Sequence, residues 1–463
     1  MKWSWTARPG SFCLVLIGLT AVDLQAQVFV PTGNMTRGRI GHSATLLQDG
    51  RVLIAGGGDP SIGYRDASSS AEIYDPDSEA FTETGAMISP RTLHSAVLLL
   101  DGRVLLVGGS TAELYNPATR TFSITGYMSV PQDVGAAVLL RNGKVLVVGS
   151  LTTELFDPAS GTFVRLGNPF TSFYTSWSTY SATLLVDGTV LLIGNLGAFM
   201  YDPASNEFHY VPLRLNLTGA TAAPLLAGSV LFAGGYDPDS FPAPPSDQTV
   251  LYDPATQTFQ VAALMRQRRA FHTSTLLRDG RVLVAGGDNR VGFDAVTGIL
   301  GSAEMYDPAT RKISQLASNM VQRRDGHKAT LLRDGRVLIT GGRNAISNSP
   351  LVAATQAELF VPESYPGAVP VLSLDRSRYC AGDPWILHAD SLSPLSAVQI
   401  SGTWDGAPWT VPNWRTSGED GTVEASGTFG ADTVGDYWVW LHAGGNMSNT
   451  VSIRIEDCIA VQR

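Results

Sequence analysis

HSATLLQDGRVLIAGG, residues 42–57, is an apolar run, a turn written Asp-Gly, and a second apolar run that stops at a glycine doublet. The phrase returns as HSAVLLLDGRVLLVGG from His94, GAAVLLRNGKVLVVG from Gly135, YSATLLVDGTVLLIG from Tyr180, TAAPLLAGSVLFAGG from Thr221, HTSTLLRDGRVLVAGG from His272 and HKATLLRDGRVLITGG from His327. Asp-Gly or Asn-Gly between two β-rich runs supplies the positive backbone angles of a two-residue hairpin turn. Each copy is therefore predicted to open with a hairpin. The starts lie 41 to 55 residues apart, a period that means one repeat architecture rather than a string of independent domains.

A second signature follows each hairpin: Tyr74-Asp-Pro then Phe81, Tyr115-Asn-Pro then Phe122, Phe156-Asp-Pro then Phe163, Tyr201-Asp-Pro then Phe208, Tyr252-Asp-Pro then Phe259, and Tyr306-Asp-Pro then Ile313. Proline removes a backbone donor and Asp-Pro favours a turn, so the pair ends a third strand and starts a fourth. Four antiparallel strands per repeat make one propeller blade. The seventh repeat supplies only HKATLL, RVLITGG and AELFVP before a proline-rich stretch. VFVPTGNM, residues 28–35, matches the fourth-strand phrases at Phe81 and Phe122 and is expected to complete that last blade, leaving no free sheet edge at the seam.

Glycine doublets, a spaced tyrosine and a later large aromatic resemble the kelch repeat, over roughly residues 28 to 363. The resemblance implies a seven-bladed kelch-type β-propeller in an all-β chain. The late aromatic, tryptophan in most kelch repeats, is Phe or Ile here, which changes core packing rather than architecture.

The expected organisation is a signal peptide over 1–26, the propeller over 27–363, a linker over 364–370 and an immunoglobulin-like β-sandwich over 371–463. Lys2 and Arg8 precede the apolar run SFCLVLIGLTAV, and Ala26 suits the residue before a cut. Export to the periplasm, cell surface or medium follows, and no later apolar run is long enough to cross a bilayer. Six short β-rich runs after residue 371 suggest the sandwich. Its attachment is expected on the Asp-Gly side of the propeller. Cys380 and Cys458, the cysteines left after Cys13 leaves with the signal, are expected to form a disulfide contributing about 4 kcal/mol in the chain-entropy picture. A net charge of −9 argues against nucleic acid as a partner.

In an up-and-down blade the loop between strands two and three and the connection from one blade to the next emerge on the same face. Blades 1, 5, 6 and 7 carry long insertions there, such as GGDPSIGYRDASSS from Gly57, and insertions gathered on one face often mark a binding surface. Arg-x-x-His enters the first strand on that face four times: Arg39 and His42, Arg91 and His94, Arg269 and His272, Arg324 and His327. Blades 3 to 5 carry Gly135, Tyr180 and Thr221 at the histidine position. Four guanidiniums at one mouth suit a carboxylated or sulfated ligand. The competing reading is that each arginine pairs with the glutamate before its repeat aromatic (Glu72, Glu113, Glu304 or Glu358) while histidine packs between blades. NPFTSFYTSWSTY from Asn168 adds an aromatic patch including Trp177, serving either a sugar ring or interblade packing. Trp438 and Trp440 share one face of a predicted strand, as a stacking platform or as a packing surface.

Export signal, seven blades and a C-terminal sandwich are together similar to the plan of the galactose oxidase family, which implies a copper-radical site with a Cys-linked Tyr and histidine ligands. No cysteine lies in the propeller, so that cross-link cannot be made. No serine-hydrolase elbow, phosphate loop or paired-histidine metalloprotease motif is present. The sequence therefore points to a binding or scaffolding module for a carbohydrate, carboxylated ligand or protein, with no catalytic residue, metal or cofactor assigned. A carbohydrate-active or oxidising enzyme with its site in the propeller mouth is the alternative.

Overall fold

The computed structural model describes residues 27–362, apart from breaks at 60–65, 171–180, 195–196, 214–216, 218, 236–244, 290–297 and 345–351, and the backbone of the strands between 371 and 456. Every regular element among them is a β-strand. Six antiparallel four-stranded sheets and one sheet whose second and third strands run together as Val104–Asn116 make seven blades.

Their first strands are Ser43–Leu46, Ser95–Leu98, Val134–Leu139, Ser181–Leu184, Thr221–Pro224, Thr273–Leu276 and Lys328–Leu331. Each touches the next and the last touches the first, so seven strands surround one axis. Each blade packs both faces against neighbours. That is why the second strands are continuous apolar runs instead of alternating ones: Val52, Leu53, Ile54 and Ala55 are all fully buried. The core is accordingly divided into seven apolar clusters, one per blade interface, such as Leu53, Ala55 and Ile73 against Val104, Leu106 and Tyr115.

The third and fourth strands are held by the aromatic step of seven residues. Tyr74 and Phe81 lie opposite each other with centroids 4.8 Å apart, and Tyr115–Phe122, Phe156–Phe163 and Tyr252–Phe259 repeat that distance. In blade 7 the fourth strand is Val28–Asn34, antiparallel to Gln356–Val361. Phe29 stands opposite Phe360 at 5.0 Å, in the same register as the other pairs.

The Asp-Gly turns differ from the two-residue form expected. Leu47 N–H donates to Arg51 C=O, and Gly50 N–H donates to Leu47 C=O. Only Gly50, at φ 91°, is left-handed, and Asp49 Oδ1 accepts the Arg51 N–H at 3.0 Å. This is a three-residue loop with its bulge at glycine. The aspartate is there to accept that N–H, a role Asn142 fills for Lys144.

Between Val371 and Glu456 the backbone forms two further sheets. One contains Val371–Leu374, Pro384–Asp390 and Val423–Thr428; the other is built on Ala397–Trp404, Ala407–Thr416, Gly435–Ala443 and Val451–Glu456. Arg378–Cys380 runs parallel to Val451–Glu456, with Cys380 opposite Glu456.

Candidate functional site: the arginine–histidine face

The isolated bridge Ile40–Gly58 ties a second-to-third loop to the connection entering its own blade, so both lie on one face. On this face the connections of blades 1, 5, 6 and 7 span residues 56–70, 234–247, 286–302 and 341–355, whereas those of blades 3 and 4 span only 150–152 and 195–196.

The four arginines do not open onto the mouth. Arg39, Arg91, Arg269 and Arg324 are buried, and each ion-pairs with a buried glutamate of its own blade: Glu72 at 2.7 Å, Glu113 at 2.5 Å, Glu304 at 2.8 Å and Glu358 at 2.8 Å. A second guanidinium nitrogen donates to the carbonyl of the glycine seventeen residues on, namely Gly56, Gly108, Gly286 and Gly341. Each glutamate also accepts backbone N–H groups of the connection entering its blade, as Glu113 does from Ile88 and Ser89. Burial lowers the pKa of Arg269 and Arg324 and raises that of Glu358, each against the opposing pull of its partner. These guanidiniums are committed to the frame, which corrects the expectation that they present charge to a ligand.

The histidines complete a clasp between blades. Each Nε2 bonds a hydroxyl of the preceding blade: His42 to Thr340, His94 to Ser43, His272 to Thr221 and His327 to Thr273, at 2.7 to 3.1 Å. The N–H of the doublet's second glycine donates to the carbonyl of the next blade's arginine: Gly57 to Arg91, Gly235 to Arg269, Gly287 to Arg324 and Gly342 to Arg39. The first glycine makes room for the imidazole. A Cβ on Gly56, Gly234 or Gly286 would stand 2.8 Å from Cε1 of His94, His272 or His327, and one on Gly341 would meet that of His42. The imidazoles are buried, and burial holds them below the usual histidine pKa, His94 and His327 at about 3. They are interblade packing groups, not open ligands.

Sequence reasoning missed two features. Gln132 replaces arginine before blade 3, donating to Thr152 C=O and accepting the N–H groups of Leu151 and Thr152. Thr221 pairs with Ala233 as Ser43 pairs with Ala55, so Ala220, not Thr221, occupies the histidine position of blade 5. In the Asn168 segment, Phe170 is buried edge-on against Phe199 at 5.2 Å. Trp177 lies outside the described residues, as do Cys458 and the side chains of Trp438, Trp440 and Cys380.

No protein-family model matches the chain, and no curated protein does. Among solved structures the chain is similar to a novel fungal alcohol oxidase with catalytic diversity among the AA5 family, in complex with copper. The match has a TM-score of 0.68 at 14% identity and covers 93% of this chain and 99% of that one. At that identity the likeness is one of fold. A radical-copper donor set does not fit the residues present: residues 27–362 contain no cysteine, and the four clasp histidines already bond hydroxyls. Among the described residues no group of three or more His, Cys, Asp or Glu could hold a metal.

Proposed function

We propose that the chain is an exported binding protein that presents the arginine–histidine face of a kelch-type propeller to a carbohydrate or carboxylated ligand, with an immunoglobulin-like sandwich following it. The observation carrying this reading is the division of labour on that face. Arginine, histidine and glutamate are internally paired into a frame, while the long connections all belong to four contiguous blades, 5, 6, 7 and 1. A stiff scaffold under variable loops is the arrangement by which many folds position binding residues.

The alternative reading is an oxidising or carbohydrate-active enzyme. It is favoured by the copper alcohol oxidase to which the fold is similar and weakened by the missing cysteine. Thermal unfolding of the full-length chain against neutral sugars, sugar acids and peptides separates the two readings from inactivity. A ligand-dependent rise in Tm, at roughly 2.7 kcal/mol for a hundredfold excess over Kd, with no product formed, supports binding. Turnover of a sugar or alcohol would replace this reading with the enzymatic one.

A further inference from the structure

The seven first strands begin in equivalent register. Ser43, Ser95, Ala136, Ser181, Thr221, Thr273 and Lys328 pair respectively with Ala55, Val107, Val148, Ile193, Ala233, Ala285 and Thr340. Five blades place a hydroxyl at this position, one a methyl, and blade 7 alone an ammonium. The position lies where the first strand leaves the arginine–histidine face, at the mouth of the axis.

Lys328 is exposed to solvent, yet protein surrounds it closely enough that desolvation lowers its pKa with no other cause. It stands open to solvent at the end of the axis that the seven first strands surround. The four clasp arginines beside it each have a carboxylate: Arg39 has Glu72, Arg91 has Glu113, Arg269 has Glu304 and Arg324 has Glu358. Among the described residues the Lys328 ammonium has neither an ion pair nor a hydrogen bond. Its charge adds to the lowering of the His42, His94 and His327 pKa, after burial and, for His94 and His327, after Arg91 and Arg324, which places it near three imidazoles held neutral. An ammonium enclosed by protein without a counter-ion is unfavourable until an anion arrives.

We propose that Lys328 is the anchor of an anion site on the propeller axis, and that its ligand is a small sugar acid, the carboxylate meeting the ammonium and the hydroxyls meeting the Ser/Thr ring. This deepens the binding reading above and rests on it. A carboxylate answers the unpaired charge. Hydroxyls that both donate and accept answer Ser95 and Ser181, whose following blades bring Gly135 and Ala220 in place of a clasp histidine.

The test is calorimetric titration of the full-length chain with D-glucuronate and, as the neutral analogue, D-glucose. Lys328→Thr is the informative variant, because Thr221 and Thr273 already fill the equivalent positions and the fold accommodates threonine there. The expected result is that wild type binds glucuronate in preference to glucose. Lys328→Thr should weaken glucuronate by about tenfold or more, as loss of a charge-assisted bond does, while its ligand-free Tm is unchanged or higher. Lys328→Arg should retain most of the preference. Equal glucuronate affinity in wild type and Lys328→Thr would overturn the assignment of Lys328 while leaving a binding protein. Failure of wild type to bind glucuronate would also overturn it, and in that case a response to a neutral sugar or peptide shared by both proteins would keep the broader reading alive.

Discussion

Arg269 and Glu304 are both fully buried, joined at 2.8 Å, and the carboxylate also accepts the N–H groups of Arg266 and Gln267. Replacing such a pair with apolar groups is often tolerated, whereas removing one member strands a charge. Glu304→Ala is therefore expected to destabilise the protein by about 3–5 kcal/mol, seen as a lower Tm and denaturation midpoint. The double variant Arg269→Met with Glu304→Leu should recover the charge part of that loss and not the part owed to the two freed N–H groups. A double variant no better than Glu304→Ala would mean that the carboxylate acts only by fixing the connection. The sequence shows the Arg-x-x-His phrase but cannot choose between mouth and frame, because both arrangements use the same residues. Their partners settle it, and those lie 17 to 35 residues on in the same blade or across the interface in the blade before. The role of Lys328 is equally undecided by sequence. The aligned repeats show the lysine as the one charge at its position, but only ladder register places it with the hydroxyls at the end of the axis.

At the scale of the element, the repeat was legible because its signals are local: two apolar runs about a glycine, then an aromatic pair seven residues apart. What local signals do not carry is the detailed turn and register. The Asp-Gly loop has three residues because glycine alone takes the left-handed angle, and blade 5, with Ala227-Gly228 as its turn, shifts by one residue against a reading keyed on Leu-Leu. The seam depends on Val28–Asn34, and its anchor is Phe29, buried against Phe360. Phe29→Ala is expected to cost about 3–5 kcal/mol, the range for deleting a buried aromatic, and to expose the edge of Gln356–Val361 as a site for pairing between molecules. Chemical denaturation with light scattering checks both. Stability within 1 kcal/mol of wild type, roughly a surface substitution, would show that the seam does not hold the ring.

At the scale of the molecule, the clasps are unevenly placed. Histidines join blades 5 to 6, 6 to 7, 7 to 1 and 1 to 2, while the other three interfaces lack them. All four imidazoles have folded pKa values depressed by burial, His94 and His327 to about 3 against 6.5 unfolded. Below pH 6.5 the unfolded chain takes up protons that the native ring refuses. The stabilising contribution is therefore complete above that value and is lost as pH falls toward 3, at about 1.4 kcal/mol per pH unit for each histidine. Glu358, whose pKa burial raises, works in the opposite sense nearer its own range, one group against four. Tm should be flat above pH 7 and fall steeply between pH 6 and 4, roughly the window set by these shifts, and His94→Gln should lower Tm at pH 8 while flattening the slope. Because the four clasps are contiguous, acid should loosen one side of the ring first. Hydrogen exchange compared at pH 7 and pH 5, corrected for intrinsic rates, is expected to rise earlier in Ser43–Leu46, Ser95–Leu98, Thr273–Leu276 and Lys328–Leu331 than in Val134–Leu139 and Ser181–Leu184, the first strands that no clasp touches. A uniform rise around all seven first strands would mean that the ring opens as one unit and that the clasps set its overall stability without dividing it.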